Sequence, residues 1–75
     1  MITVKLFGLV RLETGIKELQ VSARDTKELK KELTRWIPEK QIKGCVLLVN
    51  GKRAGRATKL EDGDQVMLMP PVAGG

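Results

Sequence analysis

Hydrophobic residues alternate with polar ones near both ends of this chain and recur at helical spacing in its middle. Ile2, Val4 and Leu6 stand between Thr3, Lys5 and Phe7, the period of two that predicts a half-buried strand. A loop ending at Gly15 leads to a second strand over roughly Lys17 to Val21, with Leu19 and Val21 inward. Asp25 offers a helix N-cap, and Glu28 three residues on completes a capping box. Leu29, Leu33, Trp36 and Ile37 then form one apolar stripe of a helix that Pro38 stops. Beyond a loop through Gly44, the apolar run Cys45-Val46-Leu47-Leu48-Val49 reads as a central strand. Asn50-Gly51 suits a two-residue hairpin whose central positions need positive φ. Lys52 and Arg53 begin a short charged edge strand, Leu60 to Asp64 turns the chain, and Gln65 to Met69 forms the last strand. Pro70 ends it, because proline cannot donate to a ladder.

The predicted order is β-β-α-β-β-β. It describes an α+β fold of the β-grasp, ubiquitin-like class: a mixed four- to five-stranded sheet with one main helix on one face. In that arrangement the first and last strands run parallel at the sheet's middle, so the chain leaves from its centre. Residues 1–69 form the expected domain and residues 70–75 a flexible C-terminal tail.

Composition narrows the function by exclusion. At 75 residues the chain makes one small domain. No apolar run approaches the ~20 residues of a membrane span, and the first strand starts at Ile2, so no leader and a cytoplasmic location are expected. A single cysteine, Cys45, rules out an internal disulfide, and without histidine there is no basis for a structural zinc site. The net charge of +5 suits a nucleic-acid surface, but Phe7 and Trp36 are the only aromatics, too few for stacking platforms. We therefore expect no nucleic-acid partner, and read the basic residues as a solvated surface that steers an acidic protein.

The body offers little chemistry. Cys45 sits in a hydrophobic strand, where a small thiol is usually inert packing. Asp62 and Asp64 flank Gly63 and are explained by the turn they make. What remains is the end, Pro70-Pro71-Val72-Ala73-Gly74-Gly75. Two glycines add nothing to packing and lose the most backbone entropy on ordering. They do supply a carboxylate on a thread without Cβ atoms, able to enter a narrow site, while Pro70 and Pro71 stiffen the exit. A reactive tail and a frayed end both fit these residues. A terminal carboxylate, with an ordinary pKa of about 3.5, is a poor electrophile until it is activated as a mixed anhydride with AMP. ATP and Mg²⁺ for that step would be used by a partner enzyme, so no cofactor is expected on this chain.

If Ile2, Val4, Leu6, Val66 and Leu68 face the helix, then Phe7, Met67 and Met69 face away and form an apolar patch beside the tail. Methionines suit a surface that meets several proteins. The alternative is that they fill an irregular second core, and a register slip would exchange the two faces.

The residues Phe7 to Gly15 after the first strand, Val49-Asn50-Gly51 at the hairpin, Leu60 to Val66, and Met69-Pro70-Pro71-Val72-Ala73-Gly74-Gly75 resemble the MoaD/ThiS family of ubiquitin-like sulfur carriers. The double proline brings the chain nearest to the family's molybdopterin-synthase small-subunit branch. The resemblance implies that Gly75 is adenylated by an E1-like adenylyltransferase of the MoeB/ThiF type and becomes a thiocarboxylate. It also implies that the tail, Pro70, Pro71, Val72, Ala73 and Gly74, inserts into a MoaE-type large subunit within a heterotetramer, where sulfur passes to a pterin precursor of the molybdenum cofactor. Catalysis would then reside in the partners and not in this chain. Phe7, Met67 and Met69 match the family's interface region, and Arg11 is expected to contact a partner. The segment from Lys52 to Leu60 is shorter, and the chain more basic, than the resemblance implies. A carrier for thiamine, tungsten cofactor or tRNA thiolation, and a ubiquitin-like modifier forming isopeptide bonds, therefore stay open beside it. So does a basic interaction module whose diglycine has no role.

Overall fold

The computed structural model describes residues 1–55 and 57–70. Five strands form one mixed sheet: β1 (Ile2–Leu6), β2 (Glu18–Val21), β3 (Val46–Val49), β4 (Lys52–Arg53) and β5 (Gln65–Met69), in spatial order β2-β1-β5-β3-β4. β1 and β5 are parallel, with Val4 opposite Val66 and Leu6 opposite Leu68, and the other pairs are antiparallel. The chain thus enters and leaves through neighbouring central strands that point the same way.

Three helices accompany the sheet: α1 (Gly8–Thr14), α2 (Thr26–Leu33) and α3 (Glu39–Lys43). α1 and α3 stand where loops were expected. Both are short, and each contributes one buried apolar residue, Val10 and Ile42, so neither leaves the repeated stripe by which a helix is read from sequence. α2 starts as predicted at Asp25, whose carboxylate accepts the Glu28 N–H at 2.8 Å. The reciprocal bond differs. Glu28 accepts from the N–H and Nε of Arg24, at 3.1 and 3.3 Å, and not from the cap residue itself.

α2 also ends earlier than Pro38. After Leu33 the bonds tighten, with Arg35 N–H donating to Glu32 C=O and Trp36 N–H to Leu33 C=O, each three residues back. The tightened turn carries Ile37 over the core, where it is 1% exposed, and leaves Trp36 43% exposed. The expected stripe therefore consists of Leu29, Leu33 and Ile37, without Trp36.

The core lies between α2 and one sheet face. Val4, Leu6, Val66 and Leu68 meet Leu29 and Leu33 there, all essentially inaccessible. Full burial of each such side chain is worth about 1.5–3 kcal/mol, which is how a short chain holds together without a staple. Asn50 and Gly51 have φ of 50° and 86°, the turn their sequence predicts. Asn50 further donates to Asp64 and accepts the Gln65 N–H, both at 3.0 Å, clipping the β3–β4 hairpin to the start of β5. Among the described residues no helix is long and apolar enough to cross a membrane.

Candidate functional site

Because β1 and β5 are parallel, their C-terminal ends meet. Phe7 N–H donates to Leu68 C=O at 3.0 Å, extending the ladder one residue past Leu6. The chain then turns sharply into α1 through Gly8, at φ +68°. Pro70 lies against that turn: a Cβ on Gly8 would stand 2.9 Å from Pro70 Cγ and 3.0 Å from Cδ. Glycine is required here twice over, by the left-handed backbone and by the proline ring above it. The root of the tail is thereby seated on the first loop. Pro71, Val72, Ala73, Gly74 and Gly75 lie outside the described residues.

Met67 and Met69 alternate with the buried Val66 and Leu68 and are half-buried on the face away from the helices. Register adds neighbours that the alternation of β5 alone does not reveal. Leu48 pairs with Met67 and Val46 with Met69, both half-buried, while Lys5 flanks Met67 from β1. The strand Val46–Val49 is apolar on both faces, and that continuous run is the signal for this second apolar surface.

Phe7 stands between two depressions. One, of about 240 Å³, is lined by Phe7, Leu9, Val10, Gln41, Cys45 and Pro70 among others. The other, of about 280 Å³, gathers Arg11, Lys5 and Lys17 with Glu18 beside Phe7. Arg11 is thus exposed on α1 within a basic cluster, and Lys5 and Lys17 reach it only through the fold. Leu9 and Leu12 on α1 are 63% and 79% exposed, and Leu9 lines the first depression with Pro70. α1 is tied to α3 by Gln41, which donates to Glu13 at 2.5 Å.

The body's three candidate chemical side chains, Cys45, Asp62 and Asp64, are accounted for by burial and by the turn. Burial pushes the Cys45 thiol above its ordinary pKa, so it stays protonated at neutral pH and is a weak nucleophile. Asp64 is occupied by the Glu61 N–H and by the Asn50 side chain, which together hold its carboxyl below the usual range. Asp62 is engaged by the N-terminal ammonium of Met1. Among the described residues no three His, Cys, Asp or Glu side chains group to hold a metal ion.

This arrangement matches known proteins. A solved complex of subunits 1 and 2 of the molybdopterin-converting factor from Helicobacter pylori contains a chain 28% identical to this one, covering 99% of this chain and 97% of that one with a TM-score of 0.75. Small archaeal modifier protein 1 from Methanosarcina acetivorans is 26% identical, with 99% and 95% coverage and a TM-score of 0.82. The BexX/CysO complex from Amycolatopsis orientalis shares the fold at 20% identity, full coverage of both chains and a TM-score of 0.79. No curated protein sequence matches the chain. The family profile described as "ThiS family" matches residues 4–75. With its parallel central strands, its tail root beside the first loop and that match over nearly its whole length, the chain belongs to the ThiS family, the ThiS/MoaD group of ubiquitin-like sulfur carriers.

Proposed function

We propose that this protein carries sulfur on the carboxylate of Gly75 for molybdopterin synthesis. An adenylating partner of the E1-like class would use ATP and Mg²⁺. The carboxylate attacks the α-phosphate, pyrophosphate leaves, and an acyl-adenylate forms. Hydrosulfide then attacks the acyl carbon and expels AMP, and loss of its proton leaves a thiocarboxylate. The tail, Pro70 to Gly74, delivers that group into a large subunit of the MoaE type, where the sulfur is passed on. Catalysis belongs to those partners.

The observation that carries this reading is the seat of Pro70 on Gly8, which starts the tail at the sheet's centre beside the apolar surface of Met67, Met69, Val46 and Leu48. A partner covering that surface meets the tail at its root, Pro70. The Helicobacter pylori relative, solved as a complex of subunits 1 and 2 of the molybdopterin-converting factor, supports a second subunit as that partner. Phe7 and Arg11 would contribute an apolar and a cationic contact at its rim. The likeness to a small archaeal modifier protein favours a second reading, in which a lysine amine attacks activated Gly75 and leaves an isopeptide bond.

Mass spectrometry separates the two after incubation with an adenylating enzyme, ATP and a sulfur donor. Exchange of one carboxylate oxygen for sulfur is the expected result. Lysine-linked conjugates without that exchange would establish the modifier reading instead, and no adduct at all would overturn both. The interface has its own check. Replacing Met67 and Met69 together by Ser should weaken binding to the large subunit by tenfold or more, on the order expected for losing central apolar contacts, with a circular dichroism spectrum like the parent's. Unchanged affinity would remove this face from the interface.

A further inference from the structure

On the helical side, across the sheet from Met67 and Met69, α2 and α3 flank a groove of about 400 Å³. Lys27, Lys30, Lys31 and Thr34 line one wall, and Glu39, Ile42 and Lys43 the other. The spacing of 27, 30 and 31 puts the three lysines on one face of α2, turned from the buried Leu29 and Leu33, with Thr34 at the C-cap continuing that face. The carboxylates of this region are already engaged: Glu28 with Arg24, Glu32 with Arg35, Glu39 with Lys43, and Asp25 with the α2 backbone. Lys27, Lys30 and Lys31 have no ion pair among the described residues. Three like charges within two turns repel one another, a cost that an anionic occupant would reverse.

We infer that this groove docks an acidic protein segment in which Asp or Glu alternates with aliphatic residues. Its chemistry selects that occupant over other polyanions. The buried Ile42 and the lysine stems give the groove an apolar lining, which rewards aliphatic side chains and not a phosphate backbone. Its cations are lysines without an arginine, and the fork of arginine is the group that grips phosphate in two-point fashion. No aromatic lines it to stack a base. A concave slot between two helices also fits a chain segment better than a flat lipid surface. A partner held there leaves the apolar sheet face of Met67 and Met69 uncovered, so this groove recruits one protein while that face meets another.

The probe is a fluorescein-labelled synthetic peptide of Glu-Leu-Glu-Glu repeats, titrated with the full chain and read by anisotropy. Binding should weaken as salt rises, because the pairing is screened over about 10 Å at 0.1 M salt. The triple substitution Lys27→Glu, Lys30→Glu, Lys31→Glu should weaken it by about tenfold or more. An equal reversal at Lys17, Lys52 and Arg53 should leave it near the parent value. Amide shifts in the parent chain should map to Lys27, Lys31, Thr34, Ile42 and Lys43, which decides the matter even where the triple variant folds poorly. The inference is overturned by a folded triple variant that binds as tightly as the parent. Amide shifts confined to the sheet face would overturn it too, as would tighter binding to a single-stranded oligonucleotide of equal charge or to phosphatidylserine vesicles.

Discussion

Deleting Gly75 is expected to abolish thiocarboxylate formation while leaving the melting temperature where it was. The chemical half of this outcome is a matter of reach. One residue of extended chain spans about 3.3–3.6 Å, so the shortened chain would hold its carboxylate that far short of the reacting phosphate. Misplacement of a reacting group by about 1 Å can already cost on the order of 10²-fold in rate. The deletion still ends in glycine, so it tests position and not residue type. Gly75→Ala tests the other requirement: its methyl group sits on the carbon next to the acyl centre and crowds the nucleophile's approach, and its rate should fall while the reach is unchanged. Stability is separable from both, since the buried core ends at Leu68 and the sheet ladder at Met69. Mass spectrometry of the reaction and thermal unfolding followed by circular dichroism read the two halves independently. A truncated chain that still gains sulfur would take the reactive role away from Gly75, in the carrier and modifier readings alike.

What the amino-acid sequence reveals of this fold follows the reach of its interactions. The strands with alternating or continuous apolar residues, the Asn50-Gly51 turn and the Asp25 cap are local patterns. The structure places them within a residue or so of where they are expected. α1 and α3 fail that test because each owes its position to tertiary contacts, Val10 and Ile42 being the single residues each buries. Trp36 falls on the apolar stripe only if helical spacing continues past Leu33, where the turn in fact tightens. The tail is legible as chemistry, since glycine carries no side chain that a packing role would explain. Its seat is not. Gly8 and Pro70 lie at opposite ends of the sequence, and only the parallel pairing of β1 with β5 brings them together. The same holds for Val46 and Leu48 beside the two methionines, and for Lys5 and Lys17 beside Arg11.

Gly8→Ala gives that seat a measurable value. Two costs coincide at this position. Left-handed backbone disfavours an L side chain by about 1–2 kcal/mol, and the added methyl would meet the Pro70 ring at 2.9 and 3.0 Å, closer than carbon atoms pack. The ring is bonded to its own backbone and follows Met69, which is paired to Val46, so relief requires moving either the start of α1 or the root of the tail. The expected loss is about 2 kcal/mol in all, or roughly ten degrees in Tm for a domain of this size. Pro70→Ala isolates the two costs. It deletes Cγ and Cδ but keeps Cβ, which would stand at an ordinary 3.5 Å from the new methyl. The double variant should therefore recover the part due to overlap and retain the part due to φ, a coupling that a double-mutant cycle reads directly. Gly8→Ala should also slow adenylation of Gly75, because the tail would leave the sheet from a displaced root. Equal melting of Gly8→Ala with and without Pro70 would show that the ring does not act on residue 8, and the tail's direction would then have to be set elsewhere.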